Sequence, residues 1–409
     1  MTKNKNTTNK TKKFNINKKY ITIIACSFSA VVLIIILLIS FTLKNKDSRV
    51  HIAFYGIENE YVEQIEKLFY SQVSDKNNKK YIVTILENGP VNYKNLSKKY
   101  DLVFAWKGEV TSNLENSAKD IPSKLLDSVP ETMKNKKILP LLIDNCELAY
   151  SKKTAIKFGG ELPLNLHDFE EYLAKTKDTV ITPFVCEGAD DKILTSLVVN
   201  LIEKTGGISA YEDFIESLHR GTDLAVLLDQ KLGKNSITLR QVLMTLAEWN
   251  RKGLLFNGWY NIKQNDLKFF VEEYQTSVFF TYLSRHRKKA WNVMNEYEAY
   301  LLPPADGITE TGIIAPTICV MLFTKNKNAK IILDELFTKR AQEILSDGTK
   351  LAPVYLRARA YDKQSEDVRF WAAGSLCGAL PDVYNAAFQT NPEKFAEFAQ
   401  KIRILLQIL

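Results

Sequence analysis

Several aromatic residues fall near the predicted ends of strands or in loops, where a binding cleft would lie. The carbon–hydrogen faces of a sugar ring stack on tryptophan and tyrosine, while its hydroxyl groups need polar side chains in fixed positions. Ordinary packing in a core or on the surface is the alternative for each of these residues taken alone. We select as candidate ligand-binding residues five aromatics and three polar residues: Tyr55, Trp106, Trp259, Tyr282 and Trp371, with Glu187, Asp190 and Arg285.

Trp106 is the most informative of these residues because of what flanks it. The short apolar segment 101–105 precedes it, and Lys107, Gly108 and Glu109 follow it directly. In an α/β sheet, ligands bind in the crevice beyond the carboxyl ends of the strands. The sequence therefore predicts a partly exposed indole that faces a second lobe and stacks on a ligand ring.

Common catalytic signatures are missing from the sequence. It contains no nucleophile elbow, P-loop, zinc-protease helix motif or dinucleotide-binding glycine pattern. Its four histidines are scattered and have no metal-ligand spacing with the cysteines. We therefore predict no catalytic residue, no cofactor and no metal site. An extracytoplasmic glycoside hydrolase, with Glu187 and Asp190 as its acid and base, remains an alternative.

Alternating strands and helices must position the first of the candidate residues. Strands are predicted over 50–55, 81–86 and 101–105, and a helix over 58–70 separates the first two strands. This alternation is typical of a parallel α/β sheet. Parallel strands present their carboxyl ends at one edge, so we expect Tyr55 and Trp106 to lie near the same cleft.

An uncharged apolar segment near the N-terminus is long enough to cross a bilayer. Residues 21–43 contain no charge, and 23 residues suffice for a hydrocarbon thickness of roughly 30 Å. We predict a cytoplasmic tail over 1–19, a transmembrane anchor over 20–43 and a linker over 44–49. Seven lysines in the tail place residues 50–409 on the extracytoplasmic side by the positive-inside rule. A cleaved form, or one lipidated at Cys26, is the alternative.

The net charge of +8 is concentrated in this N-terminal part. Residues 50–409 are close to neutral, so the sequence lacks a basic domain and nucleic acid is not an expected partner. The chain of 409 residues, 45% apolar and 25% charged, has the composition of a globular protein and the length for two lobes.

Five cysteines carry no strong pattern. They stand at positions 26, 146, 186, 319 and 377, without a Cys-x-x-Cys pair. Four of them lie in the predicted outer domain, where one or two disulfides can form. Buried free thiols are the other interpretation.

Residues 138–173 carry the most recognisable order of elements. An apolar strand over 138–143 stops at a polar break, and a second strand over 148–150 follows. A glycine pair, a proline and a helix capped by Asn165 come next. This order resembles the first crossing between the lobes of extracellular solute-binding proteins of the maltose and oligosaccharide type. The residues that match it are Leu139-Pro140, Asp144, Leu148, Tyr150, Lys152, Pro163 and Asp168-Phe169.

The resemblance extends weakly over about 50–409 and has departures. His167 and Lys192 stand where the family often has tryptophan, and 269–280 lacks the family's glycine and methionine. It implies an α/β, two-lobed periplasmic-binding-protein-like (type 2) fold with an N-terminal transmembrane helix. Lobe 1 would comprise about 50–147 and 306–350, and lobe 2 about 148–305 and 351–409.

The function that the resemblance implies is a membrane-anchored solute receptor. It would bind a carbohydrate or similar small polar solute by hinged closure, with 144–152 and 301–306 as hinges, and would deliver the solute to ABC permease subunits. A sensor without a transport partner is an alternative with the same fold.

Overall fold

The computed structural model describes residues 49–73 and 81–409. The predicted tail, the anchor over 20–43, Cys26 and all but the last residue of the linker lie outside the described residues. In the part of the chain that is described, no helix is both long and apolar enough to cross a membrane. Residues 50–409 form one compact unit.

Strands and helices alternate through most of this unit. The described strands are β1 (Val50–Tyr55), β2 (Tyr81–Leu86), β3 (Leu102–Trp106), β4 (Ile138–Ile143), β5 (Cys146–Ser151), β6 (Thr182–Cys186), β7 (Thr276–Tyr282), β8 (Tyr297–Tyr300), β9 (Ile313–Ile314), β10 (Thr317–Leu322), β11 (Ala352–Pro353) and β12 (Ala379–Leu380).

Helices cover both sheets and form much of the second half of the chain. They are α1 (Asn59–Val73), α2 (Tyr93–Lys99), α3 (Glu109–Glu115), α4 (Ser123–Leu126), α5 (Lys152–Lys157), α6 (Leu166–Thr176), α7 (Asp191–Gly206), α8 (Ile208–His219), α9 (Leu224–Asp229), α10 (Leu239–Arg251), α11 (Gln264–Glu272), α12 (Leu283–Arg287), α13 (Trp291–Glu296), α14 (Lys327–Leu336), α15 (Lys339–Thr349), α16 (Lys363–Gly374), α17 (Val383–Ala387) and α18 (Pro392–Ile408). Short 3₁₀ turns occupy Glu131–Met133 and Trp259–Asn261.

The first sheet has the strand order β11-β4-β10-β3-β1-β2. Strands β1, β2 and β3 are parallel, as the sequence predicts, whereas β10 runs antiparallel between β3 and β4. Every residue of β3, β4 and β10 is buried, because helices cover both faces of the sheet. The carboxyl ends of β1 and β3 therefore lie at one edge of this sheet.

The second sheet has the order β6-β7-β5-β8. Strand β5 pairs antiparallel with β7 and β8, and β6 runs parallel to β7. A separate hydrophobic core forms between this sheet and helices α6, α7 and α10, with Phe169, Phe184 and Trp249 in edge-to-face contact. The two sheets thus have separate cores.

The polar break at Asp144 and Asn145 connects the two sheets. Strand β4 ends at Ile143 in the first sheet, and β5 begins at Cys146 in the second. The predicted cap downstream is confirmed, since the Asn165 side chain accepts a hydrogen bond from the backbone N–H of Asp168. The fold is a mixed α/β fold with two large sheets and a small parallel sheet of β9 and β12. Few chain segments cross between the two large sheets.

The chain returns to the second core later than residue 351. Strand β11 pairs antiparallel with β4, and Val368 and Ala372 of α16 are buried in the core of the first sheet. From Leu380 onward the apolar residues pack into the second core instead. The apolar segment 351–354 extends the first sheet beside β4, which is why the predicted boundary is too early.

Candidate functional site

A cavity of about 170 Å³ lies where loops and helix ends from the two sheets meet. It combines aromatic rings with carboxylates, basic groups and neutral polar groups. Its lining residues are Glu58, Glu60, Tyr61, Trp106, Asp144, Lys192, Tyr282, Ser284, Arg285, Lys288, Pro316, Asp382 and Asn385. Of the eight residues selected from the sequence, Trp106, Tyr282 and Arg285 line this cavity.

Trp106 lies at the cavity but is buried, with 4% of its surface exposed. Strand β3 continues through this residue, and Trp106 pairs with Ile318 of β10. Its indole Nε1 donates a hydrogen bond to Oε2 of Glu58 at 3.1 Å, and the Tyr61 ring contacts it edge-on. The prediction of a partly exposed indole is therefore wrong, because the strand ends one residue later than the sequence suggests.

Tyr282 ends β7 and presents its hydroxyl to a buried polar cluster. The hydroxyl oxygen lies 2.8 Å from Oγ of Ser196 and donates to Oδ2 of Asp382 at 3.1 Å. Burial raises the pKa of Tyr282 well above its ordinary value, and the nearby charge of Asp382 adds to the rise. The phenol therefore stays a neutral hydrogen-bond donor and acceptor.

Arg285 connects the other two polar residues selected from the sequence. Its guanidinium donates to Oε2 of Glu187 at 3.0 Å and to Oδ2 of Asp190 at 2.6 Å. Burial opposes ionisation of Asp190, but the Arg285 charge and hydrogen bond hold the pKa of Asp190 below its usual range. Asp190 also caps α7 through the backbone N–H groups of Lys192 and Ile193. The structure therefore brings Glu187 and Asp190 together as an ion-paired cluster behind the cavity.

Asp144 is a cavity residue that the sequence analysis does not select as a ligand contact. Its Oδ1 accepts hydrogen bonds from the backbone N–H groups of Asn145 and Ser284, and its Oδ2 accepts one from the Ser284 hydroxyl. Burial raises the pKa of Asp144 to about 6, although the bonds from Ser284 oppose the rise. The available signal was its position at the polar break between the two predicted strands.

Asp382 is the second carboxylate that the sequence analysis misses. It caps α17, and accepts hydrogen bonds from the backbone N–H and the side-chain amide of Asn385. Burial raises the pKa of Asp382, while the charge of Lys192 opposes this effect. No local sequence pattern distinguishes it from other helix caps, because its place in the cavity depends on the late return of the chain.

Ion pairs join the two sides of the cavity. Lys192 on α7 lies 3.6 Å from Glu58, which precedes α1, and Lys288 lies 2.5 Å from Glu60 on α1. All four side chains are partly exposed, between 33% and 54%. Residues on the first-sheet side thus contribute the acidic partners, and residues on the second-sheet side contribute the basic ones.

Three of the selected aromatics do not line the cavity. Tyr55 is buried and donates from its hydroxyl to the carbonyl of Gly89 at 2.5 Å. Trp259 is 1% exposed in the core of the second sheet. Trp371 lies on α16 and contacts the ring of Tyr300, with 6.1 Å between ring centroids. Hydrophobic packing determines the positions of these three rings, so the structure does not bring them to the cavity as the sequence suggests.

In the part of the chain that the structure describes, the cysteines and potential metal ligands form no second site. Cys146, Cys186 and Cys319 are buried free thiols, and Cys377 is a free thiol that is partly buried. Over the ranges 49–73 and 81–409, no group of three or more histidine, cysteine, aspartate and glutamate side chains is arranged to hold a metal ion.

Comparisons with known proteins give structural matches only. No protein-family model matches the sequence. No curated protein matches it either.

The fold is similar to that of solved solute receptors. The bacterial solute receptor AcbH, described as having an exclusive substrate preference for β-D-galactopyranose, has a TM-score of 0.65 at 14% identity, covering 88% of this chain and 92% of that one. The putative binding protein MsmE from Bacillus subtilis, in an open conformation, has a TM-score of 0.62 at 14% identity, with 88% and 96% covered. Apo RafE from Streptococcus pneumoniae has a TM-score of 0.61 at 15% identity, with 88% and 94% covered. The chain therefore shares the fold of these receptors.

Proposed function

We propose that this chain is an extracytoplasmic solute-binding receptor that takes up a carbohydrate or a similar small polar solute between two lobes. The observation that carries the proposal is the 170 Å³ cavity between the two sheets. Aromatic rings, carboxylates, a hydroxyl and an amide converge on it. This combination suits a ring with apolar faces and polar edges.

The polar groups at the cavity are already held in position. Tyr282 is fixed by Ser196 and Asp382, and Ser284 is fixed by Asp144. Fixed donors and acceptors reduce the entropy that a ligand must overcome when it binds. A cavity with such a rigid polar lining supports recognition of a small hydroxylated molecule.

Binding would proceed by closure of the two lobes. Few chain segments cross between the sheets, and we propose 301–306 and the polar break at 144–145 as the hinges. The rest of the predicted hinge 144–152 lies largely in strand β5, which is buried and paired on both edges. The pairs Lys192–Glu58 and Lys288–Glu60 form in the conformation described here. A ligand that contacts both sides favours this conformation and shifts the population towards it. The MsmE structure, which has a similar fold and an open conformation, supports a hinged motion.

We further propose that residues 20–43 anchor the receptor in the cell membrane and that ABC permease subunits recognise the closed form. The tail over 1–19 would then lie in the cytoplasm, and the binding domain would lie outside it. The energy for transport would come from those partners, because this sequence contains no phosphate-binding loop for a nucleotide.

The cavity supports binding rather than catalysis. A glycoside hydrolase needs one carboxylic acid and one carboxylate on either side of the scissile bond. Glu187 and Asp190 both bind the same guanidinium of Arg285 instead. We therefore propose a receptor that is not an enzyme.

The test is a thermal-shift screen of the full-length protein in a detergent without a sugar headgroup. The panel should contain monosaccharides, oligosaccharides, polyols, peptides and inorganic anions. A ligand present at 100 times its Kd is expected to stabilise the protein by roughly 2.7 kcal/mol. Absence of a shift with every carbohydrate and polyol would contradict the proposal, and so would turnover of a glycoside.

A further inference from the structure

Two buried carboxylates in the cavity lack a cationic partner. Asp144 is 6% exposed and Asp382 is 3% exposed. The hydrogen bonds that they accept come from backbone N–H groups and from the neutral side chains of Ser284, Tyr282 and Asn385. Within the described residues, neither carboxylate forms an ion pair. A buried charge without a partner is costly, so this arrangement calls for a compensating ligand.

The basic residues of the cavity are already matched with other acids. Arg285 is paired with Glu187 and Asp190. Lys192 and Lys288 are paired with the glutamates of the opposite side. When these pairs are set aside, Asp144 and Asp382 leave the cavity with excess negative charge.

Nearby acids increase this excess. After the larger effect of burial, the charge of Glu147 adds to the raised pKa of Asp144. The charge of Glu58 likewise adds to the raised pKa of Asp382, whereas the charge of Lys192 opposes it more strongly. Both aspartates also raise the pKa of the buried Cys146 thiol, after the larger effect of its burial. The two carboxylates therefore act on a common buried region, although they belong to distant parts of the chain.

The aromatic rings fit the same electrostatic pattern. The Lys288 ammonium lies 5.6 Å from the centroid of the Tyr61 ring, and the Arg285 guanidinium lies 5.9 Å from that of Tyr282. Ring faces attract cations through their quadrupole. Because Lys288 and Arg285 already lie over these two rings, the carboxylates rather than the rings would attract the positive group of a ligand.

The volume of the cavity limits the size of the ligand. Pockets for drug-sized ligands measure roughly 300–1,000 Å³, whereas this cavity measures about 170 Å³. A single sugar ring is on this scale, and a trisaccharide is not.

We propose that the ligand is a monosaccharide with a free, protonated amino group, whose ammonium is bound by Asp144 and Asp382. This inference rests on the proposed receptor function, and it names the ligand class for the same cavity. The ammonium supplies the ion pair that neither carboxylate forms within the described residues, and the ring occupies the space beside Tyr61 and Tyr282.

The test compares sugars that differ by one group. Calorimetric titrations of the full-length protein use glucosamine against glucose and galactosamine against galactose, with N-acetylglucosamine as an uncharged amide. We expect at least one amino sugar to bind roughly ten- to a hundredfold more tightly than its hydroxyl counterpart. The reason is that a hydrogen bond from an ammonium to a carboxylate joins two charged groups, whereas one from a hydroxyl does not. Equal or weaker binding of both amino sugars would overturn the inference.

Variants assign the preference to the two carboxylates. Asp144→Asn and Asp382→Asn are each expected to reduce the ratio of amino-sugar to neutral-sugar affinity severalfold. The control is Asp127→Asn, which removes the same charge from outside the cavity and should leave the ratio unchanged. The unfolding temperature of each variant without ligand shows whether it folds, and the two aspartates provide independent tests.

The outcomes separate this inference from the receptor proposal. If neutral sugars bind as well as amino sugars, the receptor proposal stands and the amino-sugar inference is wrong. If small amines without a sugar ring bind and no sugar does, the carbohydrate receptor is wrong. An unchanged affinity ratio in both folded aspartate variants would also overturn the inference.

Discussion

The two sides of the cavity differ in the sign of their charges. The first-sheet side contributes Glu58 and Glu60, together with Asp144 at the crossing, and none of its lining residues is basic. The second-sheet side contributes all of the lining lysines and arginines, together with Asp382. Opposite charges attract across the cavity, and the attraction is modest where both groups are exposed. Polar complementarity therefore favours the described conformation, while buried groups determine what the cavity accepts.

A second difference concerns how each side holds its key residues. Trp106 on the first-sheet side is held by strand pairing and by close packing. Arg285 on the second-sheet side is held by two carboxylates and is 30% exposed. Substitutions on the first side should therefore affect folding, whereas those on the second should affect the polar surface of the cavity more.

The largest expected effect belongs to Trp106→Ala. Removal of the buried indole leaves a void and also leaves Glu58 without its hydrogen-bond donor. We expect the free energy of unfolding to fall by about 3–5 kcal/mol, as is typical for a buried tryptophan. Urea unfolding followed by circular dichroism measures the change.

The matched control is Trp291→Ala. Trp291 is 74% exposed, so its removal should change stability by less than about 0.5 kcal/mol. If Trp106→Ala unfolds at the same urea concentration as this control, the indole does not support the first-sheet side of the cavity.

Arg285→Ala should have the next largest effect. It leaves Glu187 and Asp190 close together without their common cation. Because Arg285 is 30% exposed, we expect a loss of about 2 kcal/mol, less than for a fully buried pair. Thermal unfolding measures this loss of stability. The control is Arg251→Ala, which removes an exposed ion pair. Adding Glu187→Gln and Asp190→Asn should restore part of the loss, and failure to do so would count against charge repulsion as its cause.

Asp144→Asn tests the sign of the pH dependence. The folded-state pKa of about 6 lies above the ordinary value of 3.8, so ionisation in the folded state costs free energy. That cost is present above the folded-state pKa and disappears as the pH falls towards 4. Asparagine removes this cost but cannot accept all three hydrogen bonds of Asp144. The stability of the variant relative to the wild type should therefore be about 1 kcal/mol more favourable at pH 7.5 than at pH 5.

Unfolding free energies at the two pH values measure this difference. Asp127→Asn serves again as the control outside the cavity, and its effect should be the same at both pH values. A stability of Asp144→Asn relative to the wild type that becomes more favourable on acidification would show that Asp144 does not have a raised pKa.

The smallest effect is expected for the exposed ion pairs across the cavity. Lys192→Met and Lys288→Met should each change stability by about 0.2–1 kcal/mol, and salt should weaken the effect. The double variant should increase the radius of gyration of the ligand-free protein if these pairs favour closure. Urea unfolding measures the stability change, and small-angle scattering at low and high salt measures the radius of gyration. Lys268→Met is the control on an exposed helix surface. Identical curves for the wild type and the double variant would exclude a contribution of these pairs to closure.

Local patterns in the sequence determined much of the secondary structure. The apolar segments at 50–55, 81–86 and 138–143 form strands with those bounds. The capping box at Thr238 also follows a local pattern, with reciprocal hydrogen bonds between Thr238 and Gln241. These features depend on residues that are neighbours along the chain, so a sequence pattern is enough to predict them.

The sequence identifies part of the cavity. Trp106, which was chosen because it follows a predicted strand, lines the cavity, and so do Tyr282 and Arg285, which was chosen as a polar partner. Tyr55 and Trp259 have similar local surroundings in the sequence, but each is buried away from it. A ring at a strand end can face the core or the cleft, and its packing partners decide between them.

The sequence by itself determined several of the strands, the α/β class and the polar break at 144–145. Tertiary structure alone decided that Asp382, far along the chain, joins Asp144 at the same cavity. It also decided that Glu187 and Asp190 bind Arg285 rather than face each other across a substrate. Hydrophobic periodicity is local and can be read from neighbouring residues, whereas a site made of distant charges depends on where the chain crosses between the sheets.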